Sequence, residues 1–246
     1  MIGKLKGPGI ACLLRRGAAA LCALALSGCP APAPRVAAPA SVPAPPPPRA
    51  ALTYTILPAE SLLTIRVYRG GALAAAGHNH VIASHDLSGH VYVADEPLAS
   101  GCEVQLPLES LSVDERELRL QAGPDFPPDV PDSAREGTRR NMLGPALLAA
   151  LDYPQIVLSC VRLEASAPPQ GGTVQAHLQA LVRGTPHELQ LPVHWERNGT
   201  RLVLSGETAL KQSELGLKPF SAMLGALQVQ DEMQVAFRIL AQAPER

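Results

Sequence analysis

Aromatic residues are scarce in this chain: three Phe, four Tyr and one Trp make up 3% of its 246 residues. An apolar interior must therefore be walled mainly by Leu, Val, Ile and Ala, with Trp195, Phe237 and a few tyrosines as exceptions. Long apolar runs are missing too. The stretch from Ala18 to Leu26 falls short of the ~20 residues a membrane-spanning helix needs. There is no G-x-S-x-G, no glycine loop to cradle phosphate and no paired-cysteine metal motif, so no nucleophile stands at a recognisable spacing. Acids are scarce in the first third of the chain, where Glu60 is the only one before Asp86.

What the first third does hold is informative. Lys4, Lys6, Arg15 and Arg16 precede "AAALCALALSGC", a basic start and a short apolar core of the kind that directs export. Leu26-Ser27-Gly28-Cys29 resembles the bacterial lipobox, which predicts a signal peptide over 1–28 and lipidation of Cys29. Pro30, rather than an aspartate, then points to the outer membrane, with the protein facing the periplasm. The mature chain would keep 17 basic and 22 acidic residues, a net charge of −5. Such a balance excludes a basic nucleic-acid surface. Residues 29–51 are rich in Pro and Ala and cannot build a core; they predict an extended tether of up to ~3 Å per residue. With Cys12 and Cys22 removed and Cys29 acylated, Cys102 and Cys160 remain. They are either a disulfide, as an oxidising compartment favours, or two buried thiols.

Residues 52–246 form one domain that reads as β almost throughout. "TVQAHLQALV", "ELQLPVHW" and "MQVAFRI" alternate strictly, with Leu178, Leu189 and Val235 on apolar faces. "LLTIRVY", "LSGHVYV", "CEVQLPL" and "IVLSCVRL" alternate less cleanly. Asn198-Gly199 between two such runs predicts a tight hairpin. Met142, Leu143, Ala146, Leu147, Ala150 and Leu151 recur at helical spacing, predicting a helical insertion over 133–151, interrupted near Gly144-Pro145. Strands with one helical excursion favour an antiparallel barrel or sandwich.

Tyr153-Pro154 before a strand, Arg183-Gly184-Thr185-Pro186 between two strands, and Ser213-Glu214-Leu215-Gly216 running to Pro219-Phe220 are the most specific parts of a wider pattern. In that order, and over nearly all of 52–241, the chain resembles the YceI-like envelope proteins. The resemblance implies an all-β, lipocalin-like antiparallel barrel of about eight strands. It also implies a ligand that is apolar or amphipathic: a polyisoprenoid, a quinone or a related lipid. No catalytic residue and no cofactor is expected beyond such a bound lipid. The expected partners are that small molecule and the membrane, the latter through the N-terminal anchor. Residues expected to touch the ligand are Leu63, Ile65, Val67, Leu106, Leu158, Leu178, Val235 and Phe237, with His78 and His80 at the barrel mouth.

Four of the seven histidines fall within "AAAGHNHVIASHDLSGH", residues 74–90. Parity turns His90, His177 and His194 outward, and His187 follows Pro186 in a turn, so all four are expected to be exposed. If the chain is extended at 78–80, His78 and His80 share a side. They could then be turn residues, contacts for a ligand head group, or metal ligands with His85 as a third. No metal is assigned. A metal-dependent or stress-related envelope enzyme using His78 and His80 is one alternative function. A barrel serving as a protein-interaction module is another. The residues do not decide the oligomeric state.

Overall fold

The computed structural model describes residues 51–166 and 172–244. The expected signal peptide, Cys29 and residues 30–50 lie outside the described residues. The strands are β1 Leu52–Ile56, β2 Leu62–Gly70, β3 His80–Ser84, β4 Ser88–Val93, β5 Gly101–Pro107 and β6 Ser112–Val113. After the helical segment come β7 Gln155–Ala165, β8 Thr173–Val182, β9 Thr185–Asn198, β10 Arg201–Lys211, β11 Ser221–Ala222 and β12 Leu227–Gln242. Pairing runs β1-β4-β5-β7-β8-β9-β10-β12, and β1 returns to β12 at Thr55↔Gln242, closing an eight-stranded antiparallel barrel. Beyond short breaks, β2, β3 and β6 continue the lines of β1, β4 and β5 and pair in the order β12-β2-β3-β6.

The cleanest alternations become the wall. Val174, Ala176, Leu178, Ala180 and Val182 of β8 all face the interior, as do Leu189, Leu191, Val193 and Trp195 of β9. Two-residue turns hold the register. Arg183-Gly184 links β8 to β9 with both residues at positive φ (50° and 72°), the geometry whose twist matches flanking strands. Asn198-Gly199 lies in the β9–β10 turn as expected, and Arg201 pairs with Asn198.

Where the alternation is weak, the structure supplies the reason. In β7 the register shifts between Cys160 and Arg162, so Ile156, Leu158 and Cys160 face inward, Val161 is extruded, and Leu163 faces inward again. Such a bulge places two residues opposite one and breaks period two. All five residues of β3 are buried, because Val81 and Ala83 pack outward under Leu118 and Phe126. A strand covered on both faces shows no polar alternation.

The helical expectation needs correction. The insertion holds two helices, α1 Arg116–Ala122 and α2 Asp132–Leu143. Gly144-Pro145 ends α2 rather than interrupting it, and 144–152 runs on as turns. Met142, Leu143 and Leu147 still pack on the barrel core with Leu148 and Ala150. The helical spacing therefore recorded a buried face that only its first part carries on a helix.

The segment from β6 to β7, residues 114–154, closes one end of the barrel. The opposite end carries turns and both chain ends of the described domain, Ala51 and Pro244. There the exposed lining residues Asp95, Pro97 and Arg197 gather, which makes it the mouth.

Candidate functional site: the barrel lumen

The interior holds a cavity of about 710 Å³, within the ~300–1,000 Å³ of small-molecule sites. β8 lines it from Val174 to Val182. Eight rises of ~3.4 Å, tilted ~40° as barrel strands are, give a depth of roughly 21 Å. Over that depth the volume is a channel roughly 6–7 Å across, which suits one hydrocarbon chain. Among the described residues the wall is apolar along most of its length, and its only charged residues are Asp95 and Arg197, at the mouth. Gly206 shapes the interior. A Cβ there would stand 2.8 Å from the Phe237 ring and 2.4 Å from the Pro192 carbonyl, so only glycine leaves room for that ring in the channel.

Cys102 and Cys160 form a disulfide across neighbouring strands β5 and β7, and both residues line the cavity (Cα–Cα 5.0 Å). Leu63, Ile65, Leu106, Leu158, Leu178, Val235 and Phe237 also line it. Val67 does not. It pairs with His80 at the closed end, beyond the reach of the channel.

That pairing corrects the placement of "GHNH". His78 and His80 lie at the end opposite the mouth, because β3 starts there. His80 is buried. Its Nδ1 donates to Asp114 Oδ2 (2.6 Å) and its Nε2 meets Thr138 Oγ1 of α2 (3.1 Å). The Val81 amide donates to the other Asp114 oxygen (2.9 Å), as does Arg119, which is fully buried. Arg119 further donates to the carbonyls of Asn79 and Pro127, each at 2.7 Å. Burial alone would raise the Asp114 pKa. The His80 hydrogen bond, the Val81 amide and the His80 and Arg119 charges outweigh it and hold the carboxyl below its ordinary value.

This network clamps β3, α1 and α2 together, and both ring nitrogens of His80 are engaged in it. Asn79 completes the turn, accepting from the Arg69 amide and donating to the Asp125 carbonyl, both at 3.0 Å. His78 is exposed, with its ring 6.1 Å from that of His80. His85 pairs with Glu115 (3.1 Å) on the surface. Among the described residues no cluster of three metal-ligating side chains occurs. His90 and His194 are exposed as expected. His177 and His187 are half-buried instead: His177 bonds Glu164 (3.0 Å), and His187 packs beside Gly216. Sequence reasoning missed Asp114 and Arg119, whose only signal was charge flanking a short apolar run.

No family model and no curated protein matches the chain. Solved structures do. BcnA of Burkholderia cenocepacia is 14% identical with a TM-score of 0.56, covering 76% of this chain and 99% of its own. A polyisoprenoid-binding domain from Saccharophagus degradans is 13% identical with a TM-score of 0.51, covering 78% and 99%. The fold is YceI-like. A YceI protein of Campylobacter jejuni is also similar, 11% identical over 65% of this chain and 82% of its own, with a TM-score of 0.45. At these identities the YceI-like likeness speaks for architecture, and function has to be argued from the lumen.

Proposed function

We propose that the protein is a lipid-anchored envelope binding protein that holds one slender apolar or amphipathic molecule, a polyisoprenoid, quinone or related lipid, inside its barrel. The observation that carries this reading is the lumen: narrow, deep, mostly apolar and, among the described residues, charged only at the mouth. Apolar surface withdrawn from water contributes ~25 cal/mol per Å², so a long chain needs no polar partner inside. A polar head would rest at the mouth beside Asp95 and Arg197. The polyisoprenoid-binding domain of S. degradans supports the reading by its shared fold. The anchor is argued from Leu26-Ser27-Gly28-Cys29, and Pro30 after the cysteine favours the outer membrane, with the protein facing the periplasm.

Organic extraction of the purified protein followed by mass spectrometry tests the cargo. A co-purifying prenyl lipid or quinone is the expected result, and a barrel that yields none and binds none when offered it refutes the proposal. Cys29→Ser should move the protein from the membrane pellet to the soluble periplasmic fraction, because acyl chains supply ~0.8 kcal/mol per buried CH₂. Retention in the pellet would reject the anchor.

A further inference from the structure

At the closed end, two loops meet to form an uncharged apolar tip. One is "GGALAAAG", residues 70–77; the other is "PFSAMLGAL", residues 219–227. The Leu73 amide donates to the Ala226 carbonyl (2.7 Å), and a Cβ on Gly71 would stand 2.4 Å from that oxygen, so the loops are tightly joined. Four large apolar side chains project from them: Leu73, Phe220, Met223 and Leu224, the last two 71% and 108% exposed. Met223 and Leu224 take left-handed backbone angles, φ 50° and 57°, which residues bearing a Cβ seldom adopt. The backbone is thus bent against preference to hold two hydrophobic side chains out in water. Contiguous exposed apolar surface marks a contact site.

We infer that this tip inserts into the surface of an anionic lipid bilayer. Charge selects the occupant. The two cations flanking the loops, Arg69 and Lys218, have no carboxylate partner among the described residues, while the Arg69 guanidinium lies against the tip by donating to the Gly77 carbonyl (2.7 Å). Apolar side chains flanked by two cations that have no carboxylate partner among the described residues suit acyl chains beneath anionic head groups. The mouth differs: its rim carries charge of both signs, with Asp95, Glu96 and Arg197 exposed, and, among the described residues, no comparable apolar tip. The barrel therefore rests with its closed end on the membrane and its mouth toward water.

The test uses the full chain with Leu224→Cys or Leu98→Cys, Leu98 being an exposed apolar residue at the mouth. Each variant carries an environment-sensitive nitrobenzoxadiazole label and is floated with vesicles of phosphatidylglycerol and phosphatidylethanolamine; unsubstituted protein is the labelling blank. The label at 224 should shift to the blue on floated protein, and the label at 98 should stay at its value in water. Met223→Ser with Leu224→Ser should weaken vesicle partitioning of the Cys29→Ser chain about tenfold or more. Flotation without a shift at 224, a shift at 98 alone, or equal shifts at both positions would overturn the inference. So would failure to float, or a shift at 224 that grows with protein concentration in the absence of lipid, which would assign the tip to a second copy.

Discussion

Leu178→Lys probes the lumen at its middle. Leu178 sits halfway along β8, 8% exposed, facing the channel opposite Leu189. A lysine there has no carboxylate within the apolar wall, so folding at pH 7 must shed its proton. The gap between an ordinary lysine pKa of about 10.4 and pH 7, at 1.36 kcal/mol per pH unit, costs about 4–5 kcal/mol. That is a large part of the stability of an ordinary domain. The sign with pH follows. Between the depressed folded pKa and the unfolded value the unfolded chain binds more protons, so stability should rise with pH and recover toward pH 10. Gln179→Lys, one residue along on the outer face, should change stability by less than about 0.5 kcal/mol. Urea unfolding of both variants between pH 6 and 10, with cargo quantified by extraction, measures this. Equal stability of the two variants, or no pH slope in Leu178→Lys, would refute a dry inward-facing wall on β8.

The buried clamp makes a second prediction. Asp114→Ala leaves Arg119 charged and unpaired in the interior, which should cost ~3–5 kcal/mol, whereas exposed His78→Ala should be nearly silent in the same melting experiment. Because Asp114 titrates below its ordinary value of about 3.9, its contribution is present above that pH and fades as pH falls through the lower folded value. Asp114→Asn should therefore flatten the acid limb of the stability curve, and an unchanged limb would contradict the network. The disulfide makes a third. Closing a loop between residues 58 apart restricts the unfolded chain by about 4 kcal/mol. Reductant should lower the melting temperature of the wild type and leave the Cys102→Ala, Cys160→Ala variant unmoved. A melting temperature indifferent to confirmed reduction would argue against this contribution.

How much was legible in the chain depends on what each strand touches. β8, β9 and β12 meet solvent on one side and the lumen on the other, so period two recorded their inward residues, Leu178 and Val235 among them, directly. β3 lost that signal because α1 and Phe126 cover its outer face, and β7 lost it because a bulge at Val161 reverses its parity. Helical spacing in 142–151 recorded burial but not conformation, since turns can bury the same residues.

Composition and alternation by themselves determined the all-β class, the apolar character of the interior and the near absence of polar groups within it, because these depend on which residues repeat and how often. Tertiary structure alone decided which end of the barrel opens, and with it the role of the histidines. His78 and His80 were equally placed by spacing. Yet strand order set both at the closed end, and only the long-range approach of Asp114 and Thr138 made His80 part of a buried clamp. Such contacts link residues 34 and 58 positions apart, a separation over which local periodicity carries no information.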